Sequence, residues 1–179
     1  MIPPQQASQL MLKPALLHTK MVTAILMSML GIVTAVFIVV GHLEFDQGVL
    51  KNKPDLCMIL NVAGMVLWLV LMLAGYVAPD FLFGSTEKRT DLPLGGDDDV
   101  LHQAIDALDG DTKENLFATY FSRVMTRFAL FEGAGVFNAA IYFLNGNMVN
   151  LLLVVATLLV MAFMFPTLAR FRHWLESIR

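Results

Sequence analysis

Among the residue types able to do chemistry, Glu132 has the most demanding setting, the apolar stretch Arg127 to Leu144, RFALFEGAGVFNAAIYFL. A carboxylate in hydrocarbon costs roughly 2.5 kcal/mol or more, so it needs a partner, a proton or a wet cavity. At 100° per residue, Glu132, Gly135 and Ala139 fall within about 60° of one another, and Tyr142 continues that side. Small residues mark where helices approach closely, so this stripe is expected to face a bundle and to take Glu132 with it. Counting from Arg127 places Glu132 about 7 Å into the apolar layer. Asn138 lies deeper, near the level of Asn61 counted from the opposite face. An Asn61 to Asn138 hydrogen bond is expected there, worth about 0.6 to 2 kcal/mol.

The other chemistry-bearing sets are thinner. His42, Glu44 and Asp46 alternate in HLEFDQGVLKNKPD, but no His or Cys cluster elsewhere completes a metal shell, so a solvated loop is expected. Asp98, His102 and Asp106 share a helix face and read as a solvated acidic face. DGDTKE lacks the alternating acidic ligands and the distal Glu of a calcium loop. Cys57 is the only cysteine, which excludes an internal disulfide. The twelve Met and thirteen Phe read as packing between helices and against lipid. No nucleophile with its base, no phosphate-cradling glycine loop and no H-E-x-x-H is present. No catalytic, cofactor or metal residue is therefore assigned, and an enzyme is not expected.

The elements that must position these groups are apolar helices. A chain that is 57% hydrophobic and 15% charged, with mean hydropathy +0.67, lies outside the soluble globular class. The composition predicts an all-α polytopic membrane protein with four spans. Residues 1–20 form a lead-in interrupted by Pro14. Residues 21–41 are uncharged and long enough to cross ~30 Å of hydrocarbon, with Ser28 and Gly31 suited to close helix contact. Residues 42–55 are a loop; residues 56–78 are the second span, closed by Pro79; residues 127–145 and 148–166 are the third and fourth. Asn145-Gly146-Asn147 is a tight turn between antiparallel neighbours.

Residues 79–126 form the only long polar segment. Its first half, FLFGSTEKRTDLPLGG, reads as linker, and Leu101, Ile105 and Leu108 give the second half a helical stripe. Asp111 and Glu114 have capping-box spacing and open a helix striped by Leu116, Phe117, Tyr120, Phe121, Val124 and Phe128. That helix either turns in or runs straight into the third span. Residues 167–179 place Phe171 and Trp174 at helical spacing among Arg170 and Arg172. They predict a basic interfacial helix, with these four residues as its membrane anchors.

With four spans both termini share a side. Lys13, Lys20, Lys88, Arg89, Lys113, Arg123, Arg127, Arg170, Arg172 and Arg179 fall on it, ten cations against Lys51 and Lys53. Cations are retained inside, so both termini and the long loop, with its amphipathic helices, are expected to be cytoplasmic, in a cell (inner) membrane. The small net charge of -3, without a basic stripe, sets nucleic acid aside.

ALFEGAGVF resembles the carboxylate-bearing helix of the rotary ATPase proteolipid subunits, in which a Glu in an A-L-x-E context binds the transported ion; that resemblance reaches only Glu132. The glycine-repeat helix that packs beside it in proteolipids has no counterpart here. The wider layout resembles uncharacterised small four-span bacterial membrane proteins with A-L-x-E-G in the third span and F-P-T closing the fourth. It implies architecture alone. The expected function is structural or accessory, in association with the lipid bilayer and with further copies or a larger membrane complex. The alternative is a proton- or ion-handling component using Glu132.

Overall fold

The computed structural model describes residues 4–44, 50, 53–83, 105 and 107–177, with side chains from 16–41, 50, 53–83, 105 and 107–176. The linker, the Asp98, His102 and Asp106 set, and Leu101 of the expected stripe lie outside them. So do the side chains of His42, Glu44 and Asp46. Among the described residues the regular structure is helical: α1 (Pro4–Glu44), α2 (Pro54–Phe83), α3 (Gly110–Asn145), α4 (Met148–Phe163) and α5 (Leu168–Ser177). Three helices are long and apolar enough to cross a membrane, or four if α4 and α5 count as one broken span. At 1.5 Å per residue the 16 residues of α4 reach about 24 Å, short of ~30 Å of hydrocarbon.

Several helices run further than their sequence punctuation suggests. The lead-in is helical from Pro4, and α1 passes through Pro14 without ending. Likewise α2 continues through Pro79 to Phe83. Proline lacks an N–H, so the carbonyl four residues earlier, that of Gly75, loses its donor inside the helix. Arg127 of α3 supplies the replacement, its Nε donating to Gly75 O at 3.1 Å. At the other proline the helix does stop. The residue before a proline is pushed out of the α region, and α4 ends at Phe163, ahead of Pro166, with the Met164 N–H bonded back to Val160 O.

The start of α3 differs from the expected Asp111 capping box. Asp109 is the cap: its Oδ1 accepts from Thr112 N at 2.7 Å and its Oδ2 from Thr112 Oγ1 at 2.8 Å. Thr112 answers both carboxylate oxygens, and Asp111 falls inside the first turn, where its charge favours the helix dipole. Thr112's two hydrogen bonds hold the Asp109 carboxyl below its ordinary value of 3.8. A depressed folded value means the cap stabilises the helix above pH 3.8 and is lost as pH falls below it. Protection of the Thr112 amide, relative to its intrinsic exchange rate at each pH, is expected to persist at pH 5 and to fall away as pH drops below 3.8, and Asp109→Ala to lose it at pH 5 already. Equal protection in the two proteins at pH 5 would remove the cap.

The chain divides into two compact units. The first contains Met1–Thr23, Pro79–Met125 and Phe165–Arg179; the second contains Ala24–Ala78 and Thr126–Met164. In the first, Leu116, Tyr120 and Val124 of α3 are buried together with Ile105, Thr19 and Thr23. Against that face α5 packs Phe171, Trp174 and Leu175. Tyr120 meets Phe171 edge-on at 4.8 Å and Trp174 at 5.2 Å, and Phe117 stacks on Phe171 at 5.8 Å. Arg123 and Asp80 form an ion pair in the same unit.

The second unit is built from two helical hairpins, with α3 the most buried helix. Phe128, Phe131, Ala134, Ala139 and Ile141 of α3 join Leu30 of α1 and Val154 and Met161 of α4 in its core. Leu30 fills the notch left by Gly135, where a Cβ would lie 2.6 Å from its Cδ2. Gly31 has nothing within 4 Å of where a Cβ would sit, and Ser28 donates to its own helix at Ala24 O, so among the described residues neither makes the close helix contact expected of it. Gly146, at φ 68°, closes α3 by donating to Tyr142 O. Asn147 then caps α4 by accepting from Val149 N at 2.9 Å. Outward faces of α1, α2 and α4 carry exposed Ile32, Met58, Ile59, Val66 and Leu152. Apolar surface on this scale suits lipid, not water.

Candidate functional site

The polar residues of the second unit lie on α2, α3 and α4, and a hydrogen-bond chain of fixed direction orders most of them. The backbone N–H of Asn147 can only donate, and it does so to Asn145 Oδ1 at 2.9 Å. That leaves Asn145 Nδ2 to donate to Asn61 Oδ1 at 2.6 Å. Asn150 Nδ2 donates to the same oxygen at 2.5 Å. Asn61 is therefore the acceptor that ties the α3–α4 turn and the first turn of α4 to α2. Its expected partner, Asn138, is occupied elsewhere: Asn138 Nδ2 donates to Ala134 O at 2.9 Å and to Gly64 O at 3.4 Å. Asn61 thus faces the end where α3 and α4 meet, whereas Asn138 faces Gly64.

This arrangement leaves two buried amide oxygens, Asn138 Oδ1 and Asn150 Oδ1, with no donor among the described residues. Both approach Gly64. A Cβ there would lie 3.0 Å from each oxygen and 2.7 Å from Ile141 Cδ1, so only glycine fits. Farther along α2, Trp68 Nε1 donates to Thr157 Oγ1 at 2.8 Å, and Thr157 in turn donates to Leu153 O. Asn145 is legible in sequence only as a turn residue, and Asn150, Trp68 and Thr157 are not among the expected site residues. Asn150 and Thr157 carried a readable signal, being polar residues inside the fourth apolar stretch.

Glu132 has no hydrogen bond or ion pair among the described residues. Its side chain is only half-buried, although Gly135 and Ala139 of its stripe are buried. The cations nearest in sequence are engaged, Arg127 with Gly75 O and Arg123 with Asp80. The buried face of α3 runs through Phe128, Phe131, Ala134 and Asn138, which places Glu132 at its margin. Beside it Gly133 is exposed, with Leu71 Cδ1 4.0 Å from where a Cβ would sit.

The expected anchor residues of α5 divide between a buried face and the remaining ones. Phe171 and Trp174 are buried against Phe117 and Tyr120 within the first unit, because the aromatic stripe of α3 offers them a protein partner. Arg170 is exposed and Arg172 half-buried on the remaining faces. Among the described residues no three His, Cys, Asp or Glu side chains gather where a metal ion could be held.

No protein-family model, no curated protein and no solved structure matches the chain.

Proposed function

We propose that the chain is a four-span helical membrane protein with a structural or accessory role, acting by association with a further membrane helix, in a second copy or a larger complex, along the margin of α3 that carries Glu132. The observation that carries this reading is the carboxyl itself. It lies in an apolar span, half-exposed, with no partner among the described residues, while the neighbouring cations and amides are used within the chain. A group in that position is stabilised by a donor from outside the chain.

The reading is tested by stability and association together. In mild detergent Glu132→Gln and Glu132→Ala are expected to unfold within about 0.5 kcal/mol of the parent, as at positions without intramolecular partners. Co-purification of a partner, or cross-linking between copies, is expected to fall with Ala and to survive better with Gln. A large loss of stability with unchanged association would reject it. The alternative, proton or ion handling by Glu132, predicts a liposome proton flux that Glu132→Gln abolishes.

Orientation follows the cation bias, which supports cytoplasmic termini and a cytoplasmic central segment. A reporter active only in the cytoplasm is expected to work when fused after Arg179 and between Gly84 and Gly96. Activity of external reporters at both sites would invert the topology.

A further inference from the structure

We infer that the pocket beside Asn61 binds the phosphodiester of a phospholipid headgroup. It lies within the second unit and encloses about 630 Å³, inside the ~300 to 1,000 Å³ range usual for ligand sites. One side is polar, formed by Asn61, Asn145 and Asn147; the other is apolar, formed by the exposed Met58, Val62 and Met65 of α2.

The hydrogen-bond chain decides what the polar side can offer. Asn145 uses both ends of its amide, accepting from the backbone N–H of Asn147 and donating to Asn61. Asn61 Oδ1 is taken by Asn145 and Asn150, and Asn147 Oδ1 by the backbone N–H of Val149. Among the described residues, the side-chain amide groups of the pocket still without a partner are Asn61 Nδ2 and Asn147 Nδ2, and both are donors. No carboxylate of the described residues lines the pocket. Two NH2 groups without a competing carboxylate favour a group that accepts, and an anionic oxygen takes such bonds about twice as strongly as a neutral one. A phosphodiester presents two such oxygens on one phosphorus.

Position ties that group to a lipid. Exposed Lys53 and Asp55 precede the apolar run of α2, and Asn145 to Asn147 form the polar turn between α3 and α4. The donors therefore stand where polar chain gives way to apolar, the level of the headgroup region in a bilayer. From there Val62 and Met65 continue along the exposed face of α2, where an acyl chain can follow its headgroup. A free phosphate ion would make no use of that face.

This inference rests on the membrane reading, and the test keeps the two apart. Cys57, the only cysteine and itself on the pocket wall, reports occupancy through its rate of alkylation by N-ethylmaleimide. The full chain in a maltoside detergent is given phosphatidylglycerol, diacylglycerol with the same acyl chains, or inorganic phosphate. Alkylation is expected to slow several-fold and saturably with phosphatidylglycerol, and to keep its lipid-free rate with the other two. Asn147→Asp and Asn61→Asp retain the oxygens that accept from Val149 and from Asn145 and Asn150, but put a carboxylate oxygen where the donor was. Each is expected to abolish the slowing, and either one suffices if the other folds poorly. No slowing by phosphatidylglycerol, equal slowing by diacylglycerol or by inorganic phosphate, or slowing that persists in a variant with the parent's unfolding temperature would each overturn the inference. Extraction of the chain from membranes by alkaline carbonate would instead overturn the membrane reading beneath it.

Discussion

Gly75→Ala is expected to destabilise the detergent-solubilised protein by about 1 to 3 kcal/mol, the usual range for overpacking a filled core. A Cβ at this position would stand 2.5 and 2.9 Å from two ring carbons of Phe131 and 3.4 Å from the backbone oxygen of Arg127. Phe131 is 2% exposed, so its ring has little room to retreat, and the backbone has less. Movement of α3 away from α2 would also lengthen the bond from Arg127 to the Gly75 carbonyl, which Pro79 leaves without a donor in its own helix. Gly31→Ala provides the comparison, since nothing lies within 4 Å of its Cβ, and a shift within about 0.5 kcal/mol is expected there. Thermal unfolding of both variants in one detergent decides the matter. Equal behaviour would mean that α2 and α3 do not meet at Gly75.

The second large effect belongs to Asn61. Replacement by leucine removes the oxygen that accepts from both Asn145 and Asn150, leaving two amide donors without their acceptor. Asn150 is fully buried, so it pays the full cost of an unmade bond, about 1 to 3 kcal/mol. Asn145 is half-buried and recovers part of its loss through water, which limits the total to about 2 to 4 kcal/mol. Asn61→Asp keeps the acceptor and is expected to cost much less. Its side chain lines an open pocket of about 630 Å³ with Asn145 and Asn147, where a charge can be hydrated. Similar losses for Leu and Asp would show that the amide's shape, and not its acceptor, is what matters.

The two effects differ in how far sequence anticipates them. That α2 and α3 are apolar and long enough to cross a membrane is legible from composition, because it depends only on residues adjacent in the chain. The Asn145-Gly146-Asn147 turn is legible for the same reason: its cap, its positive φ and its return bond are made within five residues. Sequence spacing also brings Asn61 and Asn138 to similar depth. Depth is not direction, however. A hydrogen bond needs the right rotation of each helix about its axis, and that rotation is set by where Gly64 and Gly75 let α3 approach.

The amphipathic pattern of α5 determined, by itself, that Phe171 and Trp174 would share one face. Whether that face meets lipid or protein depended on another segment some fifty residues away, and Phe117 and Tyr120 of α3 decided it. Pro79 shows the same division. Its missing N–H is a property of the sequence, whereas the continuation of α2 past it relies in part on Arg127 reaching Gly75 from a different helix. For Glu132, sequence establishes that a carboxyl lies in an apolar span. Tertiary structure alone places it at the margin of α3 with the nearby cations already engaged, since burial and pairing come from neighbours brought together only when the helices pack.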